Sequence, residues 1–146
     1  MSICQHGVQS MHVGVMAIGY IAALDEALAS VLIASNGIAP LVDALCNEQE
    51  DHIKSASAWS LGQMGRHSPI HATALAESSA LPHIVSAFLS PTASEDLQNK
   101  CKRALKAIVE HLTHFPSLDA LLQVSKKKPQ SVKIAITKVC LNLHDS

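Results

Sequence analysis

Aromatic side chains are nearly absent from this 146-residue chain, which holds one Trp, one Tyr and two Phe. Because 48% of the residues are nonetheless apolar, the hydrophobic core has to be built from Ala, Leu, Ile and Val. Such small side chains suit closely stacked helices better than a β-sandwich, in which β-branched and aromatic residues are favoured. The composition therefore predicts an all-α chain, long enough for one domain with a core of its own.

Charged residues are also scarce, at 16% of the chain, and the formal net charge is −1. So small a net charge predicts no strong attraction to nucleic acid or to an anionic membrane surface. The sequence has no uncharged apolar run of membrane-spanning length, and its start lacks a basic region followed by an apolar stretch. We expect a soluble, intracellular chain with neither nucleic-acid nor membrane partners.

The chain lacks the residue patterns of known metal and catalytic sites. Its four cysteines are widely spaced without a CxxC or Cys/His zinc motif, so we expect free thiols in a reducing compartment. His67 and His71 are four residues apart, but Ser68 and Pro69 start a new helix between them, so we expect them not to share a face. No GxSxG, HExxH or phosphate-binding glycine loop occurs. We predict no enzyme activity, no metal and no cofactor.

An internal repeat is the strongest positive signal in the sequence. The pattern small, aliphatic, any, any, aliphatic occurs at residues 17–21, 60–64 and 104–108, which are 43 and 44 residues apart. Pro40 and Pro82 give a second marker, because they occupy matching positions 42 residues apart. A period in the forties in an all-helical chain is typical of armadillo and HEAT repeats. The helix signals favour a short, a medium and a long helix in each unit, which is the armadillo plan.

We therefore predict an armadillo-type right-handed superhelical solenoid of about three repeats, spanning residues 1–146 as a single segment. Its units are a partial repeat at 1–23, repeats at 24–67 and 68–114, and a degenerate repeat at 115–146. The predicted helices cover 10–23, 24–35, 38–47, 48–67, 69–78, 81–89, 94–113, 117–124 and 130–143. Because both ends would expose apolar surface, we expect a piece of a longer solenoid or a chain that packs end to end with its copies.

Five segments carry a resemblance to a known family, at 17–23, 50–56, 58–67, 94–98 and 141–146. In these segments the chain resembles the C-terminal repeats of the sperm-associated antigen six family, longer armadillo-repeat proteins of the axonemal central apparatus. The stretch 59–67 is the most specific part of the match. The resemblance implies a structural scaffold in the cytoskeleton of the cilium or flagellum, needed for axoneme integrity and motility. It also implies contacts with axonemal or microtubule-associated proteins.

The third helix of each armadillo unit lines the concave surface and is the natural place for a binding face. In nuclear-import adaptors a Trp and an Asn one turn later on this helix hold an extended peptide, since residues four apart share a face. Here these positions are Trp59 and Gln63, whereas the neighbouring units place Tyr20 at the second position and Arg103 at the first. Exposed Tyr, Trp and Arg are common interface anchors. We predict a protein-binding face of Tyr20, Trp59, Gln63 and Arg103.

Two interpretations stay open at this stage. Trp59 either lines a binding groove or packs between adjacent third helices. The favoured function is an axonemal scaffold, and the alternative is a peptide-groove transport adaptor resembling the nuclear-import armadillo proteins.

Overall fold

The computed structural model describes residues 2–112, which form seven helices and no strand. The helices are α1 (Ser2–Leu24), α2 (Glu26–Ala34), α3 (Ile38–Asn47), α4 (Asp51–Gly65), α5 (Pro69–Glu77), α6 (Ala80–Phe88) and α7 (Glu95–Val109). The all-α prediction is confirmed for this part of the chain. The helices predicted at 117–124 and 130–143, and the degenerate repeat at 115–146, lie outside the described residues.

Helices α5 and α7 begin where the sequence signals place them. Ser68 and Ser94 precede α5 and α7, and each side-chain oxygen accepts a hydrogen bond from the backbone N–H three residues later, at 3.4 and 3.2 Å. Pro69 is the first residue of α5, where its missing N–H is not needed. Pro40 and Pro82 each occupy the third position of their helix, α3 and α6. The two prolines therefore mark equivalent first turns.

Helix α2 ends at Ala34, one residue before the predicted end at 35, and Asn36 makes the turn that follows. Asn36 takes the left-handed conformation, with φ of 61°, and its N–H bonds to the carbonyl of Ile33 at 3.1 Å. The N–H of Gly37 bonds to the carbonyl of Leu32 at 2.8 Å. These paired bonds form a Schellman motif, which satisfies the last carbonyls of the helix. Asparagine tolerates this backbone better than other residues with a Cβ.

Several predicted boundaries were wrong, by about eight residues at the start of α1 and by two to four residues elsewhere. Helix α1 begins at Ser2 rather than at residue 10, since no proline interrupts residues 2–24. Helix α2 begins after Asp25, whose carboxylate accepts the N–H of Leu28 at 2.9 Å and caps the helix. Helix α4 is shorter than predicted because Glu48 and Glu50 are extended, with ψ of 144° and 116°. Helix α7 ends at Val109 rather than near residue 113.

The three longest helices pack side by side, with α4 between α1 and α7. A Cβ atom on Gly19 would collide with the Trp59 ring and the Ser60 hydroxyl, and a Cβ atom on Gly62 would lie 2.9 Å from the Cα of Ala104. Gly19 and Gly62 are equivalent in the 43-residue period, as are Ser60 and Ala104 in the 44-residue period. The step from α1 to α4 is therefore repeated, with the same stagger, from α4 to α7.

The shorter helices of neighbouring units also stack on one another, in the same order as the long helices. Helix α3 packs on α4 and α6 packs on α7, while α3 contacts α6 and α2 contacts α5. Because it lies in the middle, α4 has ten buried residues among its fifteen. The largest fully buried apolar side chains are aliphatic or sulfur-containing: Leu41, Ile53, Leu61, Met64, Leu75, Leu81, Ile84, Val85, Leu97, Cys101 and Ile108. The core is thus of the aliphatic kind that the composition predicts.

The end of α4 caps the end of α1. The guanidinium of Arg66 donates to the carbonyl of Ala23 at 2.8 Å, and Nε2 of His67 donates to the carbonyl of Ala22 at 2.6 Å. Carbonyls in the last turn of a helix lack partners within the helix, and cationic groups are favourable there. Arg66 and His67, which directly follow α4, therefore stabilise the end of α1.

Candidate protein-binding groove

A groove with a volume of about 390 Å³ lies on the face shared by α1, α4 and α7. Residues spaced three or four apart lie on one face of a helix, so each helix contributes a short row of side chains. The lining residues are His12, Met16, Tyr20, His52, Ser55, Ala56, Trp59, Asp96 and Lys100. The groove therefore crosses all three long helices and belongs to no single one of them.

An aromatic pair lines the groove. The rings of Tyr20 and Trp59 meet edge to face, with centroids 5.0 Å apart and planes at 66°. This is a favourable geometry for two aromatic rings. Tyr20 remains 60% exposed, whereas Trp59 is half-buried because Gly19 lets its ring approach the backbone of α1. The pair is held in place by the packing of the helices and still presents area to a partner.

The four residues of the predicted binding face do not form one cluster. Tyr20 and Trp59 are in contact and line the groove. Gln63 lies one turn further along α4 and is half-buried, while Arg103 is exposed on α7, and neither of them lines the groove. Trp59 packs against Gly19 of the adjacent long helix and also faces the groove, so its two interpretations are compatible. The role of all four residues in binding stays a prediction.

Sequence reasoning missed the polar residues of the groove. The imidazole rings of His12 and His52 lie edge to face with centroids 5.1 Å apart, and Nδ1 of His52 is 3.8 Å from a carboxylate oxygen of Glu50. Asp96 and Lys100 add one charge of each sign from α7. On α4, the lining residues Ala56, Ser55 and His52 precede Trp59 by three, four and seven residues, so helical spacing alone would have found them. The import-adaptor pattern considers only a residue that follows the Trp.

Ser55 is a buried polar residue in the wall of the groove. It is 3% exposed, and its hydroxyl has no hydrogen-bond partner among the residues that the structure describes. A buried hydroxyl without a partner costs free energy that a new hydrogen bond would recover. Because the oxygen itself is enclosed, Ser55 contributes to the packing of the groove wall rather than to its open surface.

Burial is the main cause of raised pKa values at two cysteine thiols, Cys46 and Cys101. It raises the pKa of the Cys101 thiol to about 12. The pKa of Cys46 is also raised, first by burial and then by Asp43, against the opposing effect of Lys54. Thiols act as nucleophiles when their pKa is lowered, so neither of these two is activated.

His67, in the bend after α4, and His71, on α5, lie close together although we expected them not to share a face. Their ring centroids are 6.2 Å apart, edge to face, because α5 turns back against the end of α4. Within residues 2–112 no three His, Cys, Asp or Glu side chains are grouped to hold an ion. In the same part of the chain no single helix meets the length and apolarity of a membrane span; α2 and α3 do so only jointly, as a pair bent by 76°.

Comparison with known proteins places these features in context. No protein-family model matches the chain. It is 51% identical to mouse (Mus musculus) and 50% identical to human (Homo sapiens) Sperm-associated antigen 6, over 78 residues in each case. That stretch is 53% of this chain and 15% of each relative, so the chain matches only a small part of the curated relatives' length.

A solved structure supports the fold. The crystal structure of an engineered protein aligns with 90% of this chain and 55% of its own, with a TM-score of 0.72 and 13% sequence identity. At that identity the likeness concerns the fold alone. The two curated relatives confirm the resemblance read from the sequence: over 78 residues the chain is similar to Sperm-associated antigen 6.

Proposed function

We propose that this chain is a structural, non-enzymatic scaffold of the central apparatus of cilia or flagella, where it binds other proteins through its repeat surface. The observation that carries the proposal is the 51% identity over 78 residues to a protein named Sperm-associated antigen 6. On this proposal the chain belongs to the cytoskeleton of the axoneme and is needed for axoneme integrity and motility. The resemblance to Sperm-associated antigen 6 supports both parts.

The proposal includes an armadillo-type right-handed solenoid with units at 1–23, 24–67 and 68–114, followed by the degenerate unit at 115–146. Two observations support this division. The close contacts at Gly19 and Gly62 repeat with one stagger, and Pro40 and Pro82 lie at the same position of α3 and α6. A solenoid of this kind presents an extended concave surface, which suits a scaffold.

The groove across α1, α4 and α7 is the proposed binding surface. Tyr20 and Trp59 supply an apolar anchor for an extended segment of an axonemal or microtubule-associated protein. Asp96 and Lys100 place opposite charges at the same groove. A groove without one dominant sign of charge fits a mixed protein surface better than nucleic acid.

Co-purification from axonemal extracts tests this surface. Tagged wild-type protein should recover central-apparatus proteins, and Tyr20→Ala should lose them because the exposed half of the aromatic pair is gone. Ile70→Ala is the matched control, since Ile70 is 80% exposed on α5 and lies outside the groove. If Tyr20→Ala is folded by circular dichroism and keeps every partner, the groove is not the binding surface.

The alternative function is a peptide-groove transport adaptor resembling nuclear-import proteins. It is favoured by Trp59 at the groove wall with Gln63 one turn later on the same helix. An adaptor should bind a basic peptide with micromolar or tighter affinity, and Trp59→Ala should abolish that binding. The scaffold proposal instead expects no such affinity in the wild-type chain.

A further inference from the structure

One position of the concave face changes from apolar to cationic along the stack of long helices. With the 43- and 44-residue periods, the equivalent residues are Met16 of α1, Trp59 of α4 and Arg103 of α7. The first two line the groove, and Arg103 is exposed three residues after the groove residue Lys100. The face that is apolar on α1 and α4 therefore continues as a positively charged face on α7.

The two cations of this face are not neutralised within the described part of the chain. Neither Lys100 nor Arg103 forms an ion pair with another residue of 2–112. Asp96 precedes Arg103 by seven residues, which is about 10 Å along the helix at about 1.5 Å per residue. An unpaired cation beside an apolar surface favours a carboxylate from a partner and disfavours a second cation. The charge complementarity of this face therefore favours an acidic partner.

The packing of the long helices sets the distance between the apolar and the cationic part of the face. Packed helices lie about 8–10 Å apart, and an extended chain advances about 3.3 Å per residue. A segment that lies across the long helices therefore passes from α4 to α7 in about three residues. A side chain on Tyr20 and Trp59 and a side chain at Arg103 then belong to residues about three apart.

We propose that the groove selects an extended segment of another protein in which a carboxylate lies about three residues from a large apolar side chain. The apolar side chain packs on the rings of Tyr20 and Trp59. The guanidinium of Arg103 donates two parallel hydrogen bonds to the carboxylate, and Lys100 adds to the positive potential beside it. This inference rests on the proposed function, because it names the kind of segment that the groove of the scaffold binds.

Two synthetic peptides test this selection. The acidic peptide is Ser-Glu-Ser-Ser-Phe-Ser-Ser-Glu-Ser, and the basic peptide has Lys in place of both Glu. Because a charge lies three residues before and after the Phe, the result does not depend on the direction in which the peptide binds. Trp59 is the only Trp of the chain, so its fluorescence reports occupation of the groove. At low ionic strength the full wild-type chain should bind the acidic peptide about fivefold more tightly than the basic one, or better.

A matched pair of charge reversals assigns the selection to one residue. Arg103→Glu should remove the preference for the acidic peptide. Lys102→Glu makes the same change of charge one residue earlier, on a different side of α7, and should keep the preference. Both residues are exposed, so neither replacement disturbs the packing of α7 on α4.

Three results would overturn the inference: no measurable binding of either peptide, tighter binding of the basic peptide, or equal effects of Arg103→Glu and Lys102→Glu. Its failure can be told apart from failure of the scaffold. If Tyr20→Ala loses its partners in co-purification while the peptides show no selectivity, the groove remains the binding surface and only the acidic segment is refuted. If both experiments fail, the groove itself is not the binding surface.

Discussion

The hydroxyl of Ser60 donates a buried hydrogen bond of 2.9 Å to the main-chain carbonyl of Val15, 45 residues earlier in the chain. The bond crosses the interface between α4 and α1 at the place where Gly19 removes a Cβ atom from the contact. The hydrogen bond from Ser60 and the close contact at Gly19 therefore occur at the same point between the two adjacent long helices. The interface between units should be sensitive to changes at both residues.

Removing this hydrogen bond should destabilise the chain. Ser60→Ala should lower the free energy of unfolding by about 1 kcal/mol, the usual net value of one buried hydrogen bond. Ser57→Ala is the matched control, because Ser57 is also fully buried but donates within its own helix, to the carbonyl of Ile53 at 2.9 Å. Bonds of that local kind add little to helix stability. Equal losses for the two variants in urea denaturation would contradict the role given to the interface.

Glycine replacements in α1 should act in opposite directions. Gly19→Ala should lower the free energy of unfolding by about 1–3 kcal/mol, since the new methyl group would overlap Trp59 and Ser60. Gly14→Ala should raise it by about 0.5–1 kcal/mol, because the site is open and alanine favours a helix. Both values come from urea denaturation at concentrations low enough to keep the chain monomeric. A stabilising Gly19→Ala would show that the two helices are further apart than described.

Most of the helix order could be predicted from the sequence because it depends on local chemistry. Helix caps and stops involve only residues that are neighbours in the chain, so they can be recognised from the sequence alone. Examples are Ser68 with Pro69, Ser94, and Asn36 with Gly37. The contact of Gly19 with Trp59 depends on the stagger of two helices, which no local pattern specifies. The repeat period showed which residues are equivalent, but not how closely the helices approach.

The binding face could be predicted only in part for the same reason. Tyr20 and Trp59 were found because they occupy the import-adaptor positions on equivalent helices and are residue types common at interfaces. Arg103 was chosen by equivalence to Trp59, but the groove takes Asp96 and Lys100 from α7 instead. Which turn of a helix reaches a groove depends on the angle between helices, and the period does not contain that angle.

The buried histidine should make stability depend on pH. Burial lowers the pKa of His71 below its ordinary value of 6.5; His67 acts in the same direction and Glu26 opposes it. Nε2 of His71 is 2.7 Å from the Ser30 hydroxyl, and its Nδ1 is buried without a partner among the described residues. The unfolded chain therefore takes up this proton at a higher pH than the folded chain. The free energy of unfolding should fall as the pH drops below about 6.5.

Urea denaturation at several pH values from neutral to mildly acidic measures this dependence. His71→Leu should flatten the slope of stability against pH in that range, whatever it does to stability itself. His83→Gln, which replaces an exposed histidine on α6, should leave the slope as it is. An unchanged slope in His71→Leu would show that another group is responsible.

Two of the cysteines should differ sharply in reactivity. Cys46 is exposed, whereas Cys101 is buried with its pKa raised to about 12, so it is neither accessible nor ionised near neutral pH. A thiol reagent added to the folded chain should modify Cys46 slowly, because its pKa is also raised. It should modify Cys101 only after unfolding. Peptide mapping by mass spectrometry checks this, and rapid labelling of Cys101 in the folded chain would contradict the packing of α7 on α4.

The most direct test of the proposed scaffold is the position of the protein in a ciliated or flagellated cell. A tagged full-length protein that carries this segment should lie along the length of the axoneme, in register with the central pair, and should remain there after detergent removes the membrane. A tagged protein that is spread through the cytoplasm, or that collects in the nucleus and leaves the axoneme unlabelled, would contradict the account.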